Sequence, residues 1–335
     1  MTDGRETERG VRMDRASEPV VTVIVAGFDV APYAQAMVDS LRAQTLPSWR
    51  AVLVDDASTD DTARIFAEAA ASDARFAVHT QTHRQGLGAA RNAGLARVRT
   101  PFLGFLDADD VLVPHALERL VGTVERTGSD FVAGAYVRLR PDARGYAAGE
   151  VQPWVAAATD PERSATTIEQ HPEASGNIVA WSKVSRTDFW HRTGLRFPEG
   201  RLYEDQVVAQ AMYTRARAFD VIPDVVVHWR VRPDGSSITQ REAELAVLRE
   251  ALDAMGAGLG VLRGAGAARA VQARAALILT MDVPRLAAIA RQHPDDAYRR
   301  ALGAFAREVW DVADESTRAR LDSEATITAA AASLW

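Results

Sequence analysis

The chain has 335 residues, 47% of them hydrophobic and 25% charged, with a formal net charge of −6 at pH 7. That length buries a substantial core as two domains, or as one large domain with an extension, and the acidic balance argues against a nucleic-acid-binding surface. No cysteine is present, which excludes disulfide frameworks, thiolate zinc sites and cysteine nucleophiles.

Residues 1–18, MTDGRETERGVRMDRASE, are polar and charged and read as a disordered tail with no signal-peptide pattern. The longest apolar runs, such as "AALIL" around Leu277, are too short to span a bilayer. Both features lead to the expectation of a cytoplasmic protein.

From Pro19 the pattern alternates. "VVTVIVA" (20–26) is a β-branched run suited to a strand buried on both faces. Tyr33, Met37 and Leu41 recur at helical spacing, in a helix ending near "QTLP". "RAVLVDD" is the second strand, "STDDTARIFAEAAA" a helix capped by Ser or Thr, and "RFAVHT" the third strand. Leu87, Ala90, Gly94 and Val98 share one helical face, "PFLGFLD" is a fourth strand, and Leu117, Leu120, Val121 and Val124 mark another helix. Such alternation predicts a doubly wound, mostly parallel sheet flanked by helices.

After "DFVAGAYVRLR" the regularity is lost, and residues 141–176 read as a long loop region. "NIVAWSKVSRTDFW" and "VIPDVVVHWRV" look like further strands. Between them, a helix from about Glu204 buries Val207, Val208, Ala211 and Met212. From about residue 241 the composition shifts to Ala, Arg, Leu and Glu. Leu245, Leu248, Leu252, Met255, Leu259 and Leu262 fit either a coiled-coil seam or, better with three interspersed glycines, a helix in a bundle.

In parallel sheets of this kind ligands sit beyond the carboxyl ends of the strands, where the acidic clusters fall. "LDADD" puts Asp107 and Asp109 at the end of the fourth strand, and paired hard oxygen donors suit Mg²⁺ or Mn²⁺. Solvated acids before a helix are the plainer alternative. "LVDDASTDDT" offers Asp55 and Asp56 to a base or ribose, although acids also favour the positive end of a helix. "HRQGLGAARNAG" adds glycines that permit close backbone approach and Arg91, a charge able to hold a pyrophosphate. Its spacing matches neither a Walker loop nor the dinucleotide fingerprint.

In this order and spacing, "VTVIVAGFDVAPYAQAMVDSLRAQT", "VLVDDASTDDT", "GLGAARNAGL" and "FLGFLDADD" resemble the family 2 glycosyltransferases of GT-A fold, over about residues 19–140. The likeness continues more thinly through "WSKVSRTDFWHRTGLRFPEGRLYEDQVVAQAMY" and "VVVHWRVRPDGSSIT". These resemble members that build or decorate bacterial surface polymers, including wall teichoic acid glycosyltransferases. The resemblance implies a GT-A domain over 19–240, with a nucleotide-sugar half (19–140) and an acceptor half (141–240), and an all-α extension over 241–335.

It also implies roles. Asp56, beside Asp55, would hold the base of a UDP-sugar, Arg91 would lie near base or phosphates, Asp107, next to Ala108, would face the ribose, and Asp109 would ligate the metal. In Glu204-Asp205 the aspartate would be the catalytic base. His228 is a second metal-ligand candidate, and Arg230, Arg232 and Ser236 fall in a segment that would close over the diphosphate. Trp181 and Lys183 would border the sugar. Ala26 and His83 stand where the family often has Pro and Asn.

The activity implied is an inverting, metal-dependent transfer of sugar to a glycan or polyol-phosphate acceptor, at the inner face of the cell membrane. Homo-oligomerisation through the C-terminal helices is a further expectation. A sugar nucleotidyltransferase would also unite a parallel sheet, acids and a nucleotide, but "AGFDVAPYAQ" lacks the glycine-rich basic loop such enzymes place after the first strand. A non-catalytic nucleotide-sugar-binding scaffold is the rival from another class, and intact Asp107, Asp109 and Asp205 argue against it.

Overall fold

The computed structural model describes residues 18–335, Arg144 and Ser236 excepted. Strand and helix alternate first: β1 (Val21–Gly27), α1 (Ala31–Arg42), β2 (Trp49–Asp55), α2 (Thr62–Ser72), β3 (Phe76–Thr80), α3 (Leu87–Leu95), β4 (Phe102–Asp107), β5 (Val111–Leu112) and α4 (Ala116–Thr127). There follow β6 (Phe131–Asp142), β7 (Gly145–Val151), α5 (Pro153–Thr159), β8 (Arg163–Thr166), β9 (Lys183–Arg186), α6 (Thr187–Thr193), α7 (Asp205–Arg215) and β10 (Phe219–Arg230). The remainder is helical: α8 (Leu245–Gly264), α9 (Ala268–Leu277), α10 (Val283–Gln292), α11 (Asp296–Val312), α12 (Glu315–Ala319) and α13 (Ser323–Ser333). A π-helical turn, Ile278–Asp282, joins α9 to α10.

The strands form one sheet in the order β3-β2-β1-β4-β9-β6-β10-β5, with β7 beside β6 and β8 beside β10. The four strands from β3 to β4 are parallel, and every residue of β1 is buried, as its unbroken β-branched run requires. Beyond β4 the sheet is mixed: β9 runs antiparallel to both β4 and β6, whereas β6 and β10 are parallel. The α/β class and the helical C-terminal region therefore stand as expected.

Three local expectations need correction. Residues 141–176 are not one loop: they hold β7, α5, β8 and a 3-10 turn. β7 is almost wholly exposed and so carries no apolar alternation to betray it. Within "NIVAWSKVSRTDFW" only Lys183–Arg186 is strand, and Thr187–Thr193 is a helix that buries Phe189 and Trp190. The first backbone N–H of α2 is capped not by Ser or Thr but by Asp60, whose carboxylate accepts from the Thr62 N–H at 2.9 Å.

One face of the sheet packs against α1 and α4 through Met37, Leu41, Leu117 and Val121. The other packs Phe105, Phe131, Trp190 and Phe219 together with Leu262, Ala270 and Val271 of the helical region. The C-terminal helices thus complete the core of the sheet as well as forming their own. Contacts of α8 with α7, α9 and α11 resolve its leucine spacing as a bundle rather than a coiled-coil seam.

Candidate active site

Parallel register brings the acids together. Gly27 of β1 aligns with Asp55 of β2, and Ala26 aligns with Asp107 of β4. β1 lies between these two strands, and the strand order reverses there, so the acids flank the switch-point crevice in which such sheets bind ligands.

Asp55 and Asp56 are both buried. One Asp55 oxygen accepts from the Ser58 N–H at 3.1 Å, and the other is buried with no partner among the described residues. The Asp56 oxygens accept from the Gln85 and Gly86 backbone N–H groups, each at 2.8 Å, fixing the loop that opens α3. Gly86 has φ +92°, a conformation that disfavours any side chain. His83 is exposed on this loop beside Thr82. Two residues missed in the sequence lie at the same rim: the Arg84 guanidinium sits 3.9 Å above the Phe28 ring. Only the fold brings that pair together.

Arg91 is placed differently from expectation. Its guanidinium is buried rather than directed at an open phosphate site, and it bridges two acids. Nη2 donates to Asp107 Oδ1 at 2.6 Å, and Nη1 donates to Glu204 Oε1 at 2.5 Å. Both acids strengthen its positive charge against the cost of burial. Burial pushes Glu204 up to about 7, opposed by Arg91 and reinforced by the neighbouring Asp205. Gly88 makes this approach possible, since a Cβ there would fall 2.1 Å from the Pro198 carbonyl oxygen. The "GLG" glycines therefore serve helix packing as well as the turn.

The Asp109 carboxylate is held by Arg232, whose Nε and Nη2 donate at 2.8 and 2.7 Å. Arg230 Nε donates to the Asp109 carbonyl at 2.7 Å, and its backbone N–H donates to Asp110 at 2.7 Å. Asp110, the last acid of "LDADD", thereby latches β10 to the motif. Burial, with Asp109 and Asp107 nearby, raises its carboxyl well above the usual range. Burial also raises Asp109, against the pull of Arg232. His228 lies two residues before Arg230 on β10, on the same strand face, and burial lowers its pKa and favours the neutral imidazole. Ala26 and Ala108 are buried at the strand ends, and Ser236 lies outside the described residues.

This crowding, with one buried Asp110 oxygen unpartnered, fits a divalent cation in its charge and in its hard-oxygen chemistry. Among the described residues no three His, Asp or Glu side chains converge to cage an ion alone. A Mg²⁺ or Mn²⁺ here would take one or two protein ligands and complete its shell with phosphate oxygens and water, the usual habit of these ions.

Asp205 opens α7 beside this centre, half-buried, and among the described residues no other side chain hydrogen-bonds its carboxylate. The helix start alone suggests a readily ionised group; burial instead raises its pKa, with Arg91 and Lys183 pulling it back and Asp107 pushing it up. Lys183, expected to border the sugar, is turned into the protein interior. It is 3% exposed, and its ammonium donates to the Asn177 backbone and side-chain oxygens and the Val179 carbonyl at 2.6–2.9 Å. Burial lowers its pKa to about 7, and Asp205 opposes that. Trp181 is 5% exposed, packed edge-on against Tyr136 with Trp229 beyond.

Residues 22–181 match the model of the family described as Glycosyl transferase family 2. An uncharacterized glycosyltransferase of Bacillus subtilis (strain 168), EpsJ, is 29% identical over 220 residues, which is 64% of this chain and 62% of EpsJ. The putative glycosyltransferase EpsH of the same strain is 29% identical over 226 residues, 67% of this chain and 63% of EpsH. The chain thus spans less than two thirds of the length of these relatives. In fold, it is similar to S. aureus TarS 1–349 in complex with UDP: TM-score 0.70, 19% identity, 94% of this chain and 87% of the other. It is also similar to the mannosyltransferase PcManGT from Pyrobaculum calidifontis in complex with GDP-Man and Mn²⁺: TM-score 0.55, 18% identity, 95% and 88% covered.

Proposed function

We propose that this chain is an inverting, metal-dependent glycosyltransferase that moves a sugar from a nucleotide sugar, a UDP-sugar in the first instance, to a glycan or polyol-phosphate acceptor. The observation that carries the reading is the buried Arg91 bridge, which joins Asp107 at the strand-end crevice to Glu204, next to Asp205. One assembly thereby unites a donor crevice and a base. The family match over residues 22–181 supports the reaction class. The UDP, UDP-GlcNAc and GDP-Man complexes of the structural neighbours support a nucleotide sugar.

On this reading residues 19–140 form the donor half, 141–240 the acceptor half and 241–335 the helical domain. Asp55, Asp56 and the loop that Asp56 fixes receive the base, and Asp107 faces the ribose. Asp109, with His228, holds Mn²⁺ or Mg²⁺, which when bound neutralises the leaving diphosphate. Arg230 and Arg232 approach that diphosphate. Asp205 takes the proton from the acceptor hydroxyl as its oxygen bonds to the anomeric carbon, and the bond from that carbon to the diphosphate breaks. Arg91 positions Glu204 and Asp205 without touching donor. Among the described residues no helix is long and apolar enough to cross a membrane. We place the enzyme in the cytoplasm, at the inner face of the membrane where surface polymers are assembled. Titration of UDP-sugars with and without Mn²⁺, following UDP release, tests the reading; no nucleotide-sugar binding and no release would overturn it.

A further inference from the structure

β6 carries Tyr136, Arg138 and Arg140 at alternate positions, hence on one sheet face. Arg138 is aligned with Trp229 of the parallel neighbour β10. Its guanidinium lies 5.3 Å from the Trp229 ring and 5.8 Å from the Trp154 ring. On the other side of β6 the register with β7 slips between Val137 and Leu139, opposite Arg138. Gly149 lies in the slipped part of β7, and a Cβ there would come 3.4 Å from the Arg138 carbonyl oxygen. Irregularities of this kind re-aim a side chain and concentrate beside functional sites.

Arg138 is half-buried yet has no ion pair or hydrogen bond to a carboxylate among the described residues. The charged groups around it are Arg140 and, from α10, Arg285. Arg285 is neutralised by Asp282 and Glu242; Arg138 has no such acid. A guanidinium stays protonated at any working pH, and a partly desolvated cation facing other cations is costly unless an anion joins it. The surrounding tryptophans offset only part of that cost. Tyr136, the next residue on this face, feels both the Arg138 charge and the Asp205 carboxylate. Tyr136 thus links the surroundings of Arg138 to those of the proposed base, and Arg138 lies on the opposite strand face from His228 and Arg230.

We propose that Arg138, flanked by Trp154 and Trp229, binds an anionic substituent of the acceptor, a phosphate or a carboxylate carried by a polyol or sugar. The indole faces suit the apolar faces of such a chain, and the fork of the guanidinium suits its anion. This rests on Asp205 being the acceptor-side base, and it adds to that reading the residue that would read an acceptor's charge.

Calorimetric titration of the full chain, loaded with UDP and Mn²⁺ so that the donor crevice is filled, tests it. Glycerol 3-phosphate is the probe, and uncharged glycerol the control. We expect saturable binding of glycerol 3-phosphate and none of glycerol. Arg138→Gln should weaken that binding by about tenfold or more, the loss expected for one charge-assisted contact. Arg138→Lys should lose less, and Arg263→Gln, on an exposed part of α8, should bind as the parent does. Glucuronate in the same titration separates the two anions: competition by it identifies a carboxylate-tolerant site, and its failure to compete identifies a phosphate site. Absence of glycerol 3-phosphate binding, or equal binding by Arg138→Gln, would overturn the proposal. UDP binding in the loading step is scored separately, so failure of the donor reading is seen independently.

Discussion

Arg91 and Glu204, 113 residues apart in the chain, form a buried ion pair of 2.5 Å that ties the helix after the glycine loop to the start of α7. The other arm of the same guanidinium holds Asp107 at 2.6 Å. Removing the cation leaves two acids facing each other, one of them buried. Arg91→Ala is expected to cost about 3–5 kcal/mol of stability, the usual consequence of orphaning a buried charge. Arg91→Lys keeps a charge but loses the planar fork, so it should be intermediate. Denaturant unfolding of the two variants checks this ordering, and equal stability of all three proteins would remove the bridge from the account.

Gly88 lies one helical turn before Arg91, against Pro198. Because a Cβ at Gly88 would sit 2.1 Å from the backbone oxygen of Pro198, Gly88→Ala must push α3 away from the loop that leads to Glu204. Overpacking of this kind costs about 1–3 kcal/mol. The variant should melt earlier and turn over more slowly, with the glycine loop itself unchanged. A melting temperature equal to the parent's would show that the contact yields freely.

How far these relationships were legible in the sequence depended on their range. β1, β2 and β4 could be read because strands buried on both faces are nearly unbroken apolar runs, and β2 and β4 each end in an acid. β7 and β8 could not, since solvent-facing strands at the margin of a sheet carry no such signal. Asp109 and Asp205 were legible as types at element boundaries. The partners of Arg91 and Lys183 were not, because burial and pairing across more than a hundred residues, or against backbone carbonyls, leave no local pattern. The heptad-like leucines of α8 were ambiguous for the same reason: spacing does not reveal which neighbour a helix meets.

Asp109→Asn should abolish stimulation by Mn²⁺ and weaken nucleotide-sugar binding in its presence, because a neutral amide is a poor ligand for a hard cation. It also removes the anion that holds Arg232. Mn²⁺ titration of UDP release, parent against variant, measures the effect. Undiminished stimulation would take Asp109 out of the metal site.

The acid limb of the pH–rate profile should lie above the ordinary carboxylate range. Burial raises both Glu204, to about 7, and Asp205, and a base works only when ionised. Activity should therefore begin to fall at a higher pH than about 4, where an unperturbed carboxylate titrates. The same shift has the opposite sign for stability. The folded state holds these protons more tightly than the unfolded chain, so the contribution of the pair to stability diminishes as pH rises from the unfolded carboxyl value toward about 7. Glu204→Gln removes one negative neighbour of Asp205 and should move the acid limb to lower pH. An acid limb that stays in place in that variant would contradict the coupling.

The most direct test is the division between binding and transfer in Asp205→Asn. The donor contacts proposed for Asp55, Asp56, Asp107 and Asp109 lie at the strand ends, while Asp205 contributes only the proton acceptor. UDP-sugar affinity in calorimetry should stay close to the parent's, and the rate of transfer to acceptor should fall by about 10² to 10⁴, the range of general-base catalysis. Full transfer activity in Asp205→Asn, with the loss appearing in Glu204→Gln instead, would contradict the assignment of the base.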